Sequence, residues 1–557
     1  MLLDARELPP DFRLMCDVAI VGAGPAGIAL ALGLTGTGLS VVLLEAGGRG
    51  GRSDLDPFHG QVEDLSRHPP VTLYRGRGLG GTSAMWGGRC VPFDPIDFEP
   101  RPHIPFSGWP IGWNEVAPWY AHALTLCEAG RPAFRVAAAL GDGAPPTIPG
   151  FAATDVEVDG IERFSCPTHF GRRYGAELSR ADDVTVVLRA SCTVIERAAS
   201  GRAVTALAMA SAPGRHFRVE ARTYVLAAGG LETTRLLLAS RIAEERGLVG
   251  RFYMCHVEGK AALARFRPGA KVVFGYERDG DGVYLRRVVS FPAEAQRRLA
   301  MTNLILRFEP PPIPDPRHGS AVLSAMYLSH TLLRPEYRRK LAEFDYRTGP
   351  SPVNLPLARH LANLAYGLPE LAGFALEWTR RHWLARRKLP YVAVARKDGA
   401  LDLDFNAEQS PNPDSRVTLS DEVDAFGLPR LQVDWRASAI DVDSVVTAHR
   451  LLATRLKESG AGVLEVDEDR IRDGYKAMGS HHIGTARMAA NPSSGVVNRD
   501  CRVFGLANLY LAGSAVFPTS SHANPTLTIV ALAARLADHL RHRPTSDTAE
   551  LQALAAE

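Results

Sequence analysis

From Val18 to Leu44 no charged residue interrupts the chain, and short aliphatic runs alternate there with glycine. Residues 17–20 read as the opening of a buried strand, 26–34 as a helix, and 40–44 as a second, parallel strand, which together make a βαβ unit. By length alone the uncharged stretch could cross a membrane or form a signal core. Six glycines within it, from Gly22 to Gly38, and the acidic Asp4, Glu7, Asp11 and Asp17 before it favour the buried strand, helix and strand. The run GRGLGGTSAMWGG at 76–88 is too glycine-rich for regular structure and predicts a loop whose backbone comes close to something. Residues 184–188, 193–197, 204–209 and 217–220 alternate like a small antiparallel meander, 223–228 returns as a buried strand, and a helix is expected at 232–240. The last element, 526–540, is apolar at helical spacing.

Composition bounds the function more than it identifies it. A chain of 557 residues, 46% hydrophobic and 22% charged, can bury a large core, and two interleaved domains suit that length. A formal charge of +3 gives no electrostatic reason to expect nucleic acid. Seven cysteines, scattered and never spaced as C-x-x-C, argue against a disulfide framework and against a zinc site, so no metal is expected and a reducing cytoplasm is the favoured location. Basic helical segments at 334–388, with Arg338, Arg339, Lys340, Arg380, Arg381, Arg386 and Arg387, read as solvated helix faces in preference to a membrane or partner surface.

Gly22, Gly24 and Gly27 form the G-x-G-x-x-G pattern between a strand and a helix, where glycine allows a tight turn and close approach of backbone to a pyrophosphate at the helix N-terminus. Glu45 ends the next strand, where a carboxylate can accept from both ribose hydroxyls and disfavours a 2′-phosphate. FAD and NAD remain open on these residues alone.

Six stretches, LLEAGG after the fingerprint, GRGLGGTSAMWGGR, YVLAAGGLETTRLLLAS, EQSPNPDSRVTLSD, HHIGTARM and NLYLAGSAVFPTSSHANPTLTIVALA, together resemble the glucose-methanol-choline (GMC) oxidoreductases. The forms SSHANPTLT and H-x-x-G-T-x-R-M are most similar to its pyranose oxidase and sugar dehydrogenase branch. The resemblance implies an α/β fold: a Rossmann-like FAD-binding domain in the two-domain architecture shared with p-hydroxybenzoate hydroxylase, and an α+β substrate domain on a mostly antiparallel sheet. It implies that Gly22, Gly24, Gly27 and Glu45 hold the ADP half of FAD. Gly80, Gly81, Thr82 and Ser83 would run along flavin and pyrophosphate, Val194 would contact adenine through its backbone, Gly513 and Ser514 would approach the pyrophosphate, and Pro525 and Thr526 would touch the isoalloxazine edge. Where some members attach FAD through a histidine this chain has Met85, so non-covalent FAD is expected.

Oxidising an alcohol requires a base of near-neutral pKa, a task that suits histidine. By the family pattern the base is His481 and its hydrogen-bonding partner Asn524, with His482 and His522 as neighbours whose roles stay open. Trp86, Trp109 and Trp113 read as core or lid packing. The expected reaction takes a CH–OH of a sugar, glycoside or polyol to a carbonyl and passes electrons to oxygen, a quinone or another acceptor. Alternatives are a non-sugar alcohol, a non-redox FAD-dependent reaction, and service as a subunit of a membrane complex. The FAD domain is expected from 1–100, 158–256 and 476–557, with a lid segment at 101–157 and the substrate domain at 257–475.

Overall fold

Strand Arg13–Val21 is exposed or half-buried at its start and fully buried from Val18 onward, because it enters the middle of a sheet. It pairs in parallel with Val41–Glu45 on one side and Arg215–Leu226 on the other. The computed structural model describes residues 1–9, 11–50, 60–329 and 357–542. Among these, the first sheet has eight strands. Leu2–Asp4, Val184–Leu188, Val41–Glu45, Arg13–Val21 and Arg215–Leu226 run parallel, Leu509–Leu511 adds to the last of them, and Val204–Ala212 and Ser191–Arg197 complete the edge antiparallel. Helices Pro25–Leu34 and Thr526–Arg541 cross so closely that a Cβ on Gly33 would stand 2.7 Å from the Cβ of Ala537.

Three expectations are corrected here. Val184–Leu188 is no part of a meander: it pairs in parallel with Val41–Glu45, and its alternation of apolar residues could not show which partner it would find. Residues 217–220 and 223–228 are not two strands, since Arg215–Leu226 is one, long enough to pair with Val204–Ala212 at its start and Leu509–Leu511 at its end. Strand Glu157–Phe164, placed by its sequence position mainly with the cofactor-binding segments, belongs to the second sheet.

That second sheet has nine strands among the described residues, every pairing antiparallel. Helix Ala439–Glu458 contributes Val445, Leu452 and Leu456 to an apolar core against one face, where Leu304, Leu306, Leu403 and Phe405 are buried. Period-two alternation then places charges on the other face. Arg286 stands opposite Glu162, and Arg307 opposite Asp404, as cross-strand partners of opposite sign. The basic segment includes helices Leu357–Tyr366 and Leu368–Trp378 and a π-helical turn Thr379–Trp383; Arg338, Arg339 and Lys340 lie outside the described residues.

Candidate active site

The chain from Met478 to Met488 is pinned between two others. Met254 and Ile483 exchange backbone hydrogen bonds, and the amides of Gly484, Ala486 and Met488 donate to the carbonyls of Ser514, Ala515 and Val516 at 2.8–3.0 Å. Only glycine suits position 484, where φ is +87° and a Cβ would stand 2.4 Å from the Phe252 carbonyl. This anchoring brings His481 to Asn524, the residue before Pro525 at the start of helix Thr526–Arg541. The Asn524 Nδ2 lies 3.0 Å from His481 Nε2. Arg89 Nη1 donates to the Asn524 Oδ1 at 3.4 Å, which turns the amide so that its NH2 faces the imidazole.

Behind His481 stands His256, fully buried, its Nδ1 2.5 Å from His481 Nδ1 and its ring perpendicular to that ring. Its Nε2 is 3.1 Å from the carbonyl of Ser520, which can only accept. Burial lowers the His256 pKa to about 3, so the ring is neutral in ordinary buffers. His256 is a lone histidine in an apolar run, and Arg89, although it closes the glycine-rich motif GRGLGGTSAMWGGR, is given no role by it.

The neighbouring histidines have other attachments. His482 turns away from the pair; its Nδ1, the Nε2 of His68 and the Sγ of Cys255 converge on the Tyr253 hydroxyl at 2.8, 2.9 and 3.3 Å. These three ligand-type atoms lie close enough to hold a metal ion, but the phenol fills the space between them. His522 Nε2 is 3.2 Å from Asp94 Oδ2. Burial opposes its charge, yet the Asp94 carboxylate outweighs that and raises its pKa, while the pairing lowers that of Asp94. Trp109 donates to Thr519 at 2.8 Å and packs on Phe98 and Phe517, Trp113 donates to the Phe93 carbonyl, and Trp86 to that of Thr168. All three tryptophans serve packing.

A long cleft runs along the C-terminal ends of the parallel strands, lined by Gly22, Gly24, Gly81, Thr82, Gly513, Ser514 and Thr526 among others. A Cβ built on Gly24, Gly229 or Gly513 meets nothing within 4 Å, so bare backbone faces open space at three points around the cleft. Together with the N-terminus of helix Pro25–Leu34, that is the surface a pyrophosphate requires, and the residues present fit a dinucleotide. Gly27 and Gly80 serve the protein instead: a Cβ on Gly27 would fall 1.9 Å from the Gly22 carbonyl, and the Gly80 amide donates to Ala23. Ser83 likewise bonds inward, accepting from the Phe170 amide at 3.0 Å, and Met85 caps the short 3-10 turn Gly81–Ala84. Glu45 borders the cleft, but its oxygens already accept from the amides of Ala23, Gly47 and Gly78; a carboxylate retains lone pairs for one more donor.

Val194 does not line this cleft. A register shift in the pairing between Cys192 and Val194 turns the strand, leaving Val194 45% exposed, and it is Ala190, Ser191 and Cys192 that border the cleft.

Residues 411–533 match the family model described as GMC oxidoreductase. The chain is 22% identical to the 2-methyl-1,2-propanediol dehydrogenase of Mycolicibacterium austroafricanum over 95% of each chain. It is 23% identical to the fructose dehydrogenase large subunit of Gluconobacter japonicus, over 94% of this chain and 97% of that one. Among solved structures, pyridoxine 4-oxidase from Mesorbium loti superposes with a TM-score of 0.55 at 16% identity, covering 95% of this chain and all of that one, a likeness of fold. Residues 411–533 thus carry the C-terminal segment of the GMC oxidoreductases, which are FAD-dependent, and over nearly its whole length the chain is similar to dehydrogenases and oxidases acting on alcohol groups.

Proposed function

We propose that the protein oxidises a CH–OH group of a sugar, glycoside or polyol to a carbonyl, with His481 as the base and Asn524 as the group that holds the oxygen. The observation that carries this reading is the 3.0 Å approach of His481 Nε2 to Asn524 Nδ2, which presents a proton acceptor and a hydrogen-bond donor side by side. A substrate hydroxyl seated against both atoms gives its proton to Nε2 while its oxygen accepts from Nδ2–H. Bound FAD would supply the hydride acceptor that the oxidation requires. A hydroxyl-rich substrate is supported by the polar surroundings: Asn524 meets Arg89, Arg89 pairs with Glu162, and Glu162 with Arg286 and Arg307. The relatives named for fructose and for a diol agree with it.

The backbone around Gly24, Gly229 and Gly513 would cradle the dinucleotide, and Met85, which cannot replace a histidine as a covalent anchor, leaves FAD bound without a covalent bond. Acid precipitation checks this: yellow cofactor goes into the supernatant, and flavin retained in the pellet refutes it. A reducing cytoplasm belongs to the same reading, since all seven cysteines are unbridged.

Anaerobic exposure of the purified flavoprotein to sugars, glycosides, aminosugars and aliphatic alcohols tests the function. Bleaching of the flavin band by polyhydroxylated compounds is expected. Fast recovery in air identifies oxygen as acceptor, and slow recovery a quinone or other acceptor. If no alcohol bleaches a flavin that dithionite reduces, the proposal fails.

A further inference from the structure

Helices Leu357–Tyr366 and Leu368–Trp378, separated only by Gly367, both pack on helix Ala321–Leu328. Phe374 and Trp378 face inward there and join Ile313, Leu323 and Val392 in a small apolar cluster. A helix lying on a water-bathed surface should then be polar on its other side. This pair is not. Leu357, Leu361 and Ala365, spaced four apart, are all exposed, and Leu368, Ala372 and Leu376 repeat the stripe on the second helix. Tyr366 is 85%, Leu376 75% and Leu384 80% exposed, and among the described residues half of the exposed large hydrophobic side chains fall between 357 and 384.

Charge completes the pattern. Residues 357–388 carry six basic side chains, Arg359, Arg380, Arg381, Arg386, Arg387 and Lys388, against the acidic Glu370 and Glu377, so this short stretch holds more net positive charge than the whole chain, whose total is +3. Arg359, Arg380, Arg386 and Lys388 are exposed, beside the apolar stripes and the 60% exposed Trp383. Leucine stripes, an interfacial tryptophan and tyrosine, and flanking arginines are the chemistry of a helix lying in a bilayer surface. No helix among the described residues is long and apolar enough to cross one.

We propose that this helical segment seats the enzyme on an anionic lipid bilayer, with its outward leucines and Trp383 at the headgroup boundary and its basic side chains against lipid phosphates. Charge decides against a second copy as the occupant, because a symmetric dimer through this face would set one positive patch on another. The inference does not depend on which alcohol is oxidised.

The test is cosedimentation of the flavin-loaded protein with vesicles of phosphatidylcholine alone and of phosphatidylcholine with phosphatidylglycerol in equal parts. Binding to the anionic vesicles is expected, weakening as salt rises. Arg386→Ala with Lys388→Ala should lower that binding by about tenfold or more at low salt, since each basic residue near such a surface is worth roughly fivefold. Leu376→Asp with Leu384→Asp should lower it at least as much, and neither pair should change the rate of flavin reduction in solution. Absence of binding to anionic vesicles at low salt, or equal binding by wild type and variants, overturns the proposal. So does a concentration-dependent dimer that Leu376→Asp dissolves.

Discussion

His481 can accept a proton at Nε2 only if its Nδ1 keeps a hydrogen, and that choice is made behind the ring. The Ser520 carbonyl requires a hydrogen on His256 Nε2, a neutral His256 then has a bare Nδ1, and the contact at 2.5 Å holds only if His481 Nδ1–H donates into it. Loss of the base itself, in His481→Ala, should slow flavin reduction by about 10² or more while the protein stays yellow; stopped-flow absorbance under anaerobic conditions measures both. His256→Leu keeps the base but frees its tautomer, so about a tenfold loss is expected in the limiting reduction rate, with a displaced pH profile and little change in KM. His256→Asn offers an amide oxygen near the place of Nδ1 and should recover most of the rate. If Leu and Asn variants fall alike, His256 only fills space; if His481→Ala is unaffected, the base is elsewhere.

At the scale of elements, Gly24 and Gly27 do different work although the dinucleotide motif writes them alike. Gly27 lets helix Pro25–Leu34 close on its preceding strand, whereas Gly24 faces open cleft. Gly27→Ala should therefore destabilise the sheet and lower soluble yield. Gly24→Ala should fold with an unchanged circular dichroism spectrum yet weaken FAD retention by about tenfold or more on dialysis, because its methyl group occupies the approach of the pyrophosphate. Equal folding and equal flavin content in both variants would contradict this division.

What the chain discloses of itself follows the same physics. The βαβ unit at 13–45 and the helix Thr526–Arg541 were readable because apolar periodicity and glycine chemistry are local. The parallel pairing of Val184–Leu188 with Val41–Glu45 was not, because a strand's partner is fixed by residues far along the chain. The motifs name His481 and Asn524, which the fold brings to 3.0 Å of each other. They give His256 and Arg89 no role, since each acts through a contact spanning more than two hundred residues.

For the whole molecule, burial of neutral histidines sets the response to acid. Burial holds the pKa of His68, His318 and His449 at about 4 and that of His256 at about 3, and takes His482 well below 6.5. Between about pH 6.5 and 4 the unfolded chain binds protons at these five positions that the folded protein cannot, so stability falls as pH falls, by about 1.4 kcal/mol per pH unit for each. Asp97 and Asp441 work in the opposite sense. Burial raises both to about 7, so they stay protonated in the folded state where the unfolded chain has released the proton, and they offset two of the five. The excess of buried neutral histidines predicts a lower apparent melting midpoint at pH 5 than at pH 7. Added salt should change this little, because the groups are buried. His449, whose Nδ1 meets the Val445 carbonyl at 2.8 Å and whose Nε2 has no hydrogen-bond partner, offers the direct check. His449→Leu should flatten the dependence by one proton's worth, and a midpoint insensitive to pH between 7 and 5 in the parent protein would show that these rings are not held neutral.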